Sequence, residues 1–393
     1  KQINDAYGHA VGDDALHGFA RQVQSELRAT DVLARWGGEE FLLLLPNTQE
    51  ETALKILERV QASVSALRLT AIDSPVRMTF SAGLTSVSPG EQVFEAIKRA
   101  DKAVFQAKAA GRNTLRVFDP VMEASISAYN ALRSEILQGL ESEQFVLYYQ
   151  AQVGSDGAVK GAEVLVRWQH AQRGLLEPRE FIPVAEETGL IVPLGHWVLR
   201  SACRQLAAWA KRDETAHLVL SANVSAKQLR HPAFVDQAIA VLEETGADPG
   251  KLKLELTESM LVEDMEETIA KMIRLKSAGV TFSLDDFGTG YSSLSYLNRL
   301  PLDQLKIDRS FVTNILTDPN NASIARTVVT LAHSLGFSVV AEGVESAEQR
   351  DFLVNEGCKD FQGYLFSRPL PLDQFERFLA AQPKKARACA TPA

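Results

Sequence analysis

Two carboxylates stand at the end of an apolar run in the second half of the chain. Asp285 and Asp286 are adjacent there, at the end of "VTFSLDDF", which starts at Val280, and Gly288 and Gly290 follow them. Carboxylates at the end of a buried strand either cap the next helix or hold a positively charged group. The glycines suit both arrangements, because they let the chain turn sharply and let a ligand approach the backbone. The pair alone leaves both alternatives open.

Polar residues also end other apolar runs around this pair. In chain order the set is Glu163, Asn223, Glu255, Asp285, Asp286, Lys306, Glu342 and Gln362. Buried carboxylates at this density repel one another unless cations lie among them. Carboxylate and amide oxygens suit Mg²⁺ or Mn²⁺, and the sequence has no matching set of Cys and His for zinc. Two ions that share Asp285 would clamp a phosphodiester and lower the pKa of a bridging water.

Each residue of this set, taken alone, also has a simpler interpretation. Glu163 and Glu255 could be solvated strand ends, and Lys306 could be a surface charge. Glu342 could cap a helix that starts near Ala347. Taken together, these simpler interpretations are less probable than a shared site. They would require several independent coincidences, each at the same end of a different strand.

The elements that must position the set are strands that alternate with helices. The strand-like runs are 145–153, 160–168, 217–225, 252–259, 280–287, 304–311, 338–345 and 361–369. Most gaps between them have amphipathic helical patterns, which predicts a mainly parallel sheet. Eight runs in roughly 240 residues match a (β/α)₈ barrel, whose active sites lie at the C-terminal ends of the strands. The polar set falls at those ends.

The first part of the chain has a different pattern. Apolar spacing predicts helices at 13–28, 51–67 and 92–110, "DVLARWGGEEFLLLLP" predicts a β-hairpin, and "VRMTFSAGLTSV" predicts a strand. The fold class is therefore α/β, with a mixed α/β domain before the barrel. We expect that domain over 1–118, a helical connector over 119–143, the barrel over 144–382 and a disordered tail over 383–393.

Composition narrows the class of protein. A chain of 393 residues favours two domains, and its net charge of −9 argues against a nucleic-acid-binding surface. Three widely spaced cysteines predict neither a disulfide framework nor a zinc site and fit a reducing cytosol. No apolar stretch approaches the ~18 residues that span a bilayer, and no signal peptide is visible. Because Lys1 leads directly into what looks like a domain interior, we expect a fragment of a longer protein.

The polar set stands in motifs that resemble the EAL family of cyclic-di-GMP phosphodiesterases, over about 126–378. The motifs are "EVLVRW" at Glu163, "NVS" at Asn223, "ELTES" at Glu255, "DDFGTGYSSL" at Asp285, "LKIDRSFV" at Lys306, "AEGVE" at Glu342 and "QGYLFSRP" at Gln362. The resemblance implies a variant (β/α)₈ barrel that hydrolyses cyclic di-GMP to linear pGpG with Mg²⁺ or Mn²⁺. Departures are small: Ala151 stands where the family usually has Pro, and Val164 where Ala is commoner.

The resemblance also implies a role for each position. Lys306 and Glu342 would orient and activate the attacking water, and Glu258 would complete the catalytic group by steadying the loop after the paired aspartates. The implied metal ligands are Glu163, Asn223, Glu255 and Asp285, with Asp286 on a second ion. The implied substrate contacts are Gln150, Arg167 and Gln362.

The first domain resembles the GGDEF family of diguanylate cyclases from 1 to about 116. It contains "KQINDAYGHAVGDDAL", "RWGGEEF" and "ADKAVFQAKAAGRN". The resemblance implies guanine contacts from Asn4 and Asp13, a metal ligand at Glu39, phosphate contacts from Lys108 and Arg112, and close approach of GTP at Gly37 and Gly38. Without the resemblance, "GGEEF" is typical of a hairpin tip. The family's first strand carries an Asp metal ligand upstream of Lys1, so we expect this chain to make little or no cyclic di-GMP.

A regulatory site is the remaining feature of this domain. Arg28 and Asp31, in "RATD", stand at the position of the family's RxxD inhibitory site, which implies that cyclic di-GMP binds there. By itself the motif favours a helix-end salt bridge worth under about 1 kcal/mol.

The sequence thus predicts a two-domain signalling enzyme whose second domain hydrolyses cyclic di-GMP and whose first domain regulates or opposes it. The alternatives are a non-catalytic cyclic-di-GMP receptor and a bifunctional enzyme dominated by cyclase activity. Both families commonly work as dimers, so a homodimer is expected. We expect both domains in the cytoplasm, with preceding sequence anchoring the full-length protein to the inner membrane.

Overall fold

The computed structural model describes residues 9–67, 78–261, 265–288 and 297–382. The chain forms two compact units, Lys1–Ala131 and Leu132–Ala393. Asn4, Gly290 and the predicted tail lie outside the described residues, as does the start of the strand predicted from Val76.

The first unit is a mixed α/β structure, as predicted. Its elements are α1 (His9–Ser25), β1 (Val32–Gly37), β2 (Glu40–Leu44), α2 (Glu50–Ser65), β3 (Ala82–Leu84), α3 (Val93–Ala109) and β4 (Leu115–Val117). Strands β1 and β2 form the predicted antiparallel hairpin, with Val32 opposite Leu44. Strands β3 and β4 pair in parallel. The core between α1 and α2 is built from Val23, Ile56, Val60 and Val64, whose helical spacing puts them on facing sides.

One strand of this unit is shorter than its sequence pattern suggests. The run "VRMTFSAGLTSV" is a strand only at Ala82–Leu84 within the part of the chain that the structure describes. Gly83 lies so close to α3 that a Cβ there would be 2.1 Å from the carbonyl oxygen of Ala100. This close approach of strand and helix explains a glycine in the middle of the strand.

Helix α4 (Pro120–Glu141) covers most of the predicted connector, and the second unit starts within it at Leu132. Its barrel strands are β5 (Phe145–Gly154), β6 (Val159–His170), β8 (Val219–Asn223), β9 (Leu252–Thr257), β10 (Thr281–Phe287), β11 (Gln304–Ile307), β12 (Ser338–Ala341) and β13 (Asp360–Gln362). They pair in this order, and β13 returns to β5, so the sheet closes into the predicted barrel. Two short strands, β7 (Gly174–Leu176) and β14 (Leu370–Pro371), extend β6 and β5.

The first barrel strand runs against the others. From β6 to β13 neighbouring barrel strands are parallel, but β5 is antiparallel to both β6 and β13. The reason is the connection: residues 155–158 join β5 to β6, whereas a parallel crossover needs a dozen or more residues. Gly157, with a φ of +80°, allows this tight turn.

Helices surround the barrel in the alternation that the sequence predicts. They are α5 (Pro178–Thr188), α6 (Ile191–Trp209), α7 (Ala226–Arg230), α8 (Phe234–Thr245), α9 (Met265–Ser277), α10 (Arg309–Thr313), α11 (Pro319–Ser334), α12 (Ala347–Asn355) and α13 (Leu372–Ala381). The apolar core lies between strands and helices, where Leu254, Leu256 and Leu305 are fully buried. The alternate positions, such as Glu255 and Lys306, face the barrel interior, so the inside of this barrel is polar.

Candidate functional site

The predicted polar set converges at one end of the barrel. Glu163, Glu255, Asp285 and Lys306 lie within strands β6, β9, β10 and β11; Asn223 and Gln362 are the last residues of β8 and β13; Glu342 directly follows β12. In a parallel barrel these strand ends meet at a shared mouth. Residues far apart in sequence are thereby brought within contact distance.

The centre of the site is the ammonium group of Lys306. Its Nζ lies 2.6 Å from Glu255 Oε2, 2.5 Å from Glu342 Oε1, 3.3 Å from Asp285 Oδ1 and 3.5 Å from Glu163 Oε2. The Lys306 side chain is fully buried, so its interpretation as a surface charge is wrong. Four carboxylates, from β6, β9, β10 and the residue after β12, thus surround one buried cation.

Amide side chains complete the ring on one side. Asn223 Nδ2 donates to Glu163 Oε1 at 2.6 Å, and Gln362 Nε2 donates to Glu163 Oε2 at 2.6 Å. Gln362 Nε2 also donates to Gln150 Oε1 at 3.2 Å, and Gln152 Nε2 donates to Gln362 Oε1 at 3.1 Å. Gln152 was not expected from its sequence motif; its place two residues after Gln150 on the same strand is the signal that identifies it.

Burial and mutual repulsion shift the proton affinities in this ring. Burial raises the pKa of Glu255 to about 7, with repulsion from Glu163 and Asp285 adding to it and Lys306 opposing it. Burial likewise raises the pKa of Glu342 well above its usual value. Burial opposes the charge on Lys306, but the surrounding carboxylates outweigh it and raise its pKa. The ring holds more negative charge than one ammonium can balance, which favours further cations.

A second acidic group adjoins the first. Asp286 has a left-handed backbone (φ 55°), a conformation that strains most side chains and is tolerated best by Asn and Asp. Burial, repulsion from Asp285 and repulsion from the neighbouring Asp308 raise its pKa to about 6. Asp308 also caps α10 by accepting the backbone N–H of Ser310 at 2.9 Å. Asp308 is a site residue that the sequence analysis missed, although it stands two positions after Lys306 in the quoted motif.

Glu258 supports the loop after the paired aspartates. It lies just after β9, is only 5% exposed, and its Oε2 accepts the backbone N–H of Gly288 at 3.2 Å. Its other oxygen, Oε1, is buried and has no hydrogen-bond partner among the described residues. The contact is with the loop backbone, so the structure supports a positioning role for this residue.

The donor set fits a hard divalent cation. Within the part of the chain that the structure describes, Glu255 Oε1 is buried without a hydrogen-bond partner, so its lone pairs are available to an ion. All the carboxylate and amide oxygens are of the type that Mg²⁺ and Mn²⁺ prefer. Among the described residues, no group of three His, Cys, Asp or Glu side chains is already arranged as an ion cage. The Lys306 ammonium contacts four of the carboxylates instead.

The alternative helix-cap interpretation of Glu342 is wrong. Helix α12 is capped by Ser346, whose hydroxyl accepts the N–H of Gln349 at 3.2 Å. Glu342 instead contacts Lys306. For Asp285 the cap interpretation concerns residues outside the described part of the chain, but its carboxylate lies 3.3 Å from Lys306 Nζ.

Arg167 lies on β6 beyond Glu163, toward the open end of the barrel. Its guanidinium lies 5.5 Å from the ring centre of Tyr148 on β5, which holds a positive charge over an aromatic face. Gln150, the other predicted substrate contact on β5, donates through Nε2 to the backbone oxygen of Ser367 at 3.2 Å.

The predicted residues of the first unit lie on exposed elements. Gly37, Gly38 and Glu39 form the tip of the β1–β2 hairpin, where Arg35 donates to the carbonyl oxygen of Gly38. Asp13 is an exposed residue of α1, and Lys108 lies in the last turn of α3.

Two further predicted positions in this unit have backbone features of their own. Arg112 has a left-handed backbone (φ 61°) after α3. Arg28 and Asp31 form a turn in which the Arg28 backbone N–H donates to Asp31 Oδ2 at 2.8 Å.

Within the described ranges, none of the helices is both long enough and apolar enough to span a bilayer.

Comparisons with known proteins agree with this geometry. Residues 133–369 match the family described as EAL domain, and residues 1–114 match the family described as diguanylate cyclase, GGDEF domain. The chain is 39% identical over 376 residues to "Bifunctional diguanylate cyclase/cyclic di-GMP phosphodiesterase MucR" of Pseudomonas aeruginosa, which covers 95% of this chain and 55% of that protein. It is 40% identical over 392 residues to "Cyclic di-GMP phosphodiesterase PdeR" of Escherichia coli, covering 98% of this chain and 58% of that protein.

The chain therefore spans a little over half the length of these curated relatives. Among solved structures, "PaMucR Phosphodiesterase, c-di-GMP complex" matches with a TM-score of 0.61 and 43% identity, covering 62% of this chain and 99% of that one. EAL phosphodiesterases generally depend on divalent metal ions. The chain belongs to the EAL domain family, with a GGDEF domain preceding the EAL barrel in its sequence.

Proposed function

We propose that this chain hydrolyses cyclic di-GMP to linear pGpG at the barrel mouth. The observation that carries the proposal is the convergence of carboxylates from four different strands or the residues that follow them on one point inside the barrel. A receptor without catalysis has no need of such a ring. The similarity to MucR and PdeR, and to a solved phosphodiesterase in complex with c-di-GMP, supports the same substrate.

The ring is proposed to hold two Mg²⁺ or Mn²⁺ ions. Bound divalent ions would neutralise the carboxylates and activate a water at neutral pH. One ion is assigned to Glu163, Asn223, Glu255 and Asp285. Asp285 and Asp286 are assigned to the second ion, with Asp308 beside Asp286 as an additional oxygen donor.

Lys306 and Glu342 are proposed to handle the attacking water. Their contact of 2.5 Å places a charged donor beside a carboxyl whose pKa is raised by burial. A carboxyl whose pKa is raised in this way is a better proton acceptor than an ordinary glutamate. Lys306 would orient the water and stabilise negative charge on the phosphate.

Substrate recognition is assigned to Gln150, Gln362 and Arg167. Gln362 and Gln150 contact each other at 3.2 Å and border the ring. Gln150 Nε2 uses one of its two N–H groups on Ser367, so the other can donate to a phosphate or base oxygen, and Gln362 orients Gln150 for that contact. The Arg167 guanidinium, over the ring of Tyr148, is suited to a phosphate oxygen because its planar group donates along two directions.

The GGDEF domain is proposed to regulate the barrel and, in a longer protein, to make cyclic di-GMP from GTP. GTP is assigned to the hairpin tip at Gly37 and Gly38, with Glu39 as a metal ligand. The remaining contacts are assigned to Asn4, Asp13, Lys108 and Arg112. Arg28 and Asp31 are assigned to product binding. The test counts the cyclic di-GMP molecules bound per chain in Glu163→Ala, which prevents turnover, with and without Arg28→Ala. Arg28→Ala should remove the binding at the first domain and so lower this number. An unchanged number of bound molecules contradicts the assignment.

We also propose a cytoplasmic location and a homodimer. Cys203 and Cys358 are free, buried thiols, as expected in a reducing compartment. The dimer rests on the family resemblance, and sedimentation equilibrium with and without cyclic di-GMP tests it.

Turnover is the direct test of the main proposal. The chain is incubated with cyclic di-GMP and Mg²⁺, and pGpG is followed by chromatography, with Glu163→Ala as the control. Accumulation of pGpG only with the wild-type chain is the expected result. Retained binding without turnover would instead identify a receptor, and net synthesis from GTP would identify a cyclase-dominated enzyme.

A further inference from the structure

The Lys306 ammonium lies among oxygens of the carboxylates that are assigned to a divalent ion. Its Nζ is 2.6–3.5 Å from Glu255 Oε2, Asp285 Oδ1 and Glu163 Oε2. An ion on these oxygens would lie about 2.0–2.2 Å from each of them. A monovalent ammonium and a divalent ion cannot both occupy so small a volume, because of steric overlap and like-charge repulsion.

Two neighbouring amide groups also donate hydrogen bonds to a carboxylate of the ring. Asn223 Nδ2 and Gln362 Nε2 both donate to Glu163, and an Asn amide binds an ion through its oxygen, not its nitrogen. Asn223 would bind an ion through Oδ1, while the Nδ2 of the same amide donates to Glu163. The side chains already converge, but they do so around hydrogen-bond donors of the protein itself.

From this geometry we infer that Lys306 is an internal competitor of the catalytic ions: its ammonium holds the carboxylates together, and ion entry displaces it from them. The inference rests on the metal site in the proposed function and adds a second role for a residue placed there in catalysis. Lys306 both stabilises the ring before ions bind and weakens their binding.

The sign of the effect follows from linkage. A cation that must leave before the ion binds lowers the affinity for the ion, and the ion in turn lowers the affinity of the ring for the cation. Removal of the ammonium should therefore tighten ion binding. It should also destabilise the protein without ions, because the buried carboxylates lose their counter-charge.

The test compares two buried lysines. Lys306→Met removes the ammonium from the ring. Lys271→Met removes one from α9, where Lys271 Nζ donates to the backbone oxygens of Leu229 and Arg230 at 2.8 and 3.1 Å and pairs with Glu267. Lys271 is 9% exposed, so both changes exchange a buried ammonium for a methionine of similar length.

Calorimetric titration with MnCl₂ and thermal unfolding are measured on EDTA-stripped full chain without nucleotide. For Lys306→Met we expect Mn²⁺ to bind about tenfold tighter or more than in wild type, a lower melting temperature before Mn²⁺ is added, and a larger rise on its addition. For Lys271→Met we expect a lower melting temperature with unchanged Mn²⁺ affinity.

Unchanged or weaker Mn²⁺ binding by Lys306→Met overturns the inference, and so does an equal gain in Lys271→Met. If Lys306→Met does not fold, Lys306→Gln, which keeps an N–H donor but not the charge, provides the same comparison and must show the same gain. Wild-type chain that binds no Mn²⁺ overturns both this inference and the proposed metal site. Wild-type chain that binds Mn²⁺ and turns over substrate, without a gain in the variants, overturns this inference alone.

Discussion

Glu258 anchors the loop that follows the paired aspartates, and its removal gives a quantitative test of that anchor. Glu258 Oε2 accepts the backbone N–H of Gly288 at 3.2 Å, and the side chain is buried. A hydrogen bond to a charged acceptor contributes about 1.5–3 kcal/mol, and the length of this one places it at the lower end. A loss of about 1.5 kcal/mol from the active arrangement of Asp285 and Asp286 corresponds to about tenfold in kcat/KM. Glu258→Ala should therefore lower kcat/KM about tenfold and weaken Mn²⁺ binding.

The assay is pGpG formation at several Mn²⁺ concentrations, with thermal unfolding of the same samples. Glu258→Gln is the matched control, because it keeps a side-chain oxygen that can accept the Gly288 N–H and should retain more activity than Glu258→Ala. The melting temperature should change little, since the fold does not depend on this loop contact. Wild-type kinetics in Glu258→Ala at all Mn²⁺ concentrations would refute the reasoning, and so would a loss explained entirely by unfolding.

Further predictions address the ring and its supports. Glu163→Gln should abolish measurable pGpG formation, because it removes a charged oxygen and leaves the donors of Asn223 and Gln362 competing for one acceptor; residual turnover above a tenth of wild type would contradict this. In EDTA, the raised pKa of Asp286 (about 6) means that the folded chain holds a proton that the unfolded chain releases, so stability falls as pH rises from about 4 to 6. Asp286→Asn should then be more stable than wild type by about 1 kcal/mol at neutral pH, after a discount for partial exposure, with the gap closing below about pH 4 in urea unfolding. Replacement of Mg²⁺ by Ca²⁺ should inhibit turnover, since Ca²⁺ takes longer bonds and a looser geometry; equal rates in the two ions would argue against the two-ion site. Gly363→Ala should lower the melting temperature and cost about 3 kcal/mol, because its Cβ would lie 2.1 Å from the carbonyl oxygen of Val344, and an unchanged melting curve would show that this backbone can move apart.

The barrel could be predicted because its local signals agree. Apolar runs such as "LKLEL" in β9 place leucines on the outer face and polar residues on the inner face. The leucines are buried against the helices, and Glu255 is buried inside the barrel. The direction of β5 could not be read from that pattern, because parallel and antiparallel strands share the same period of two. Only the short connection at 155–158, with Gly157 at positive φ, makes it antiparallel.

The pairing of Asp308 with Asp286 was also outside the reach of the sequence. Asp308 looks like an ordinary helix cap, and it is one. Asp308 also repels Asp286 and helps raise its pKa. This interaction depends on the pairing of β10 with β11 and on the left-handed backbone at Asp286. The local pattern of residues predicts neither the pairing of β10 with β11 nor the left-handed backbone at Asp286.

By itself, the sequence determined which apolar runs form strands and that carboxylates dominate among the polar residues on or just after them, since these follow from apolar periodicity and residue type. It left open whether "SLDDFGTG" caps a helix or faces a cation. The tertiary structure decided that question for Asp285, whose carboxylate lies 3.3 Å from the Lys306 ammonium. It also decided that Lys306 lies at the centre of four carboxylates instead of on the surface, because only closure of the barrel brings strand ends that are distant in sequence to one point, where burial makes each charge depend on its neighbours.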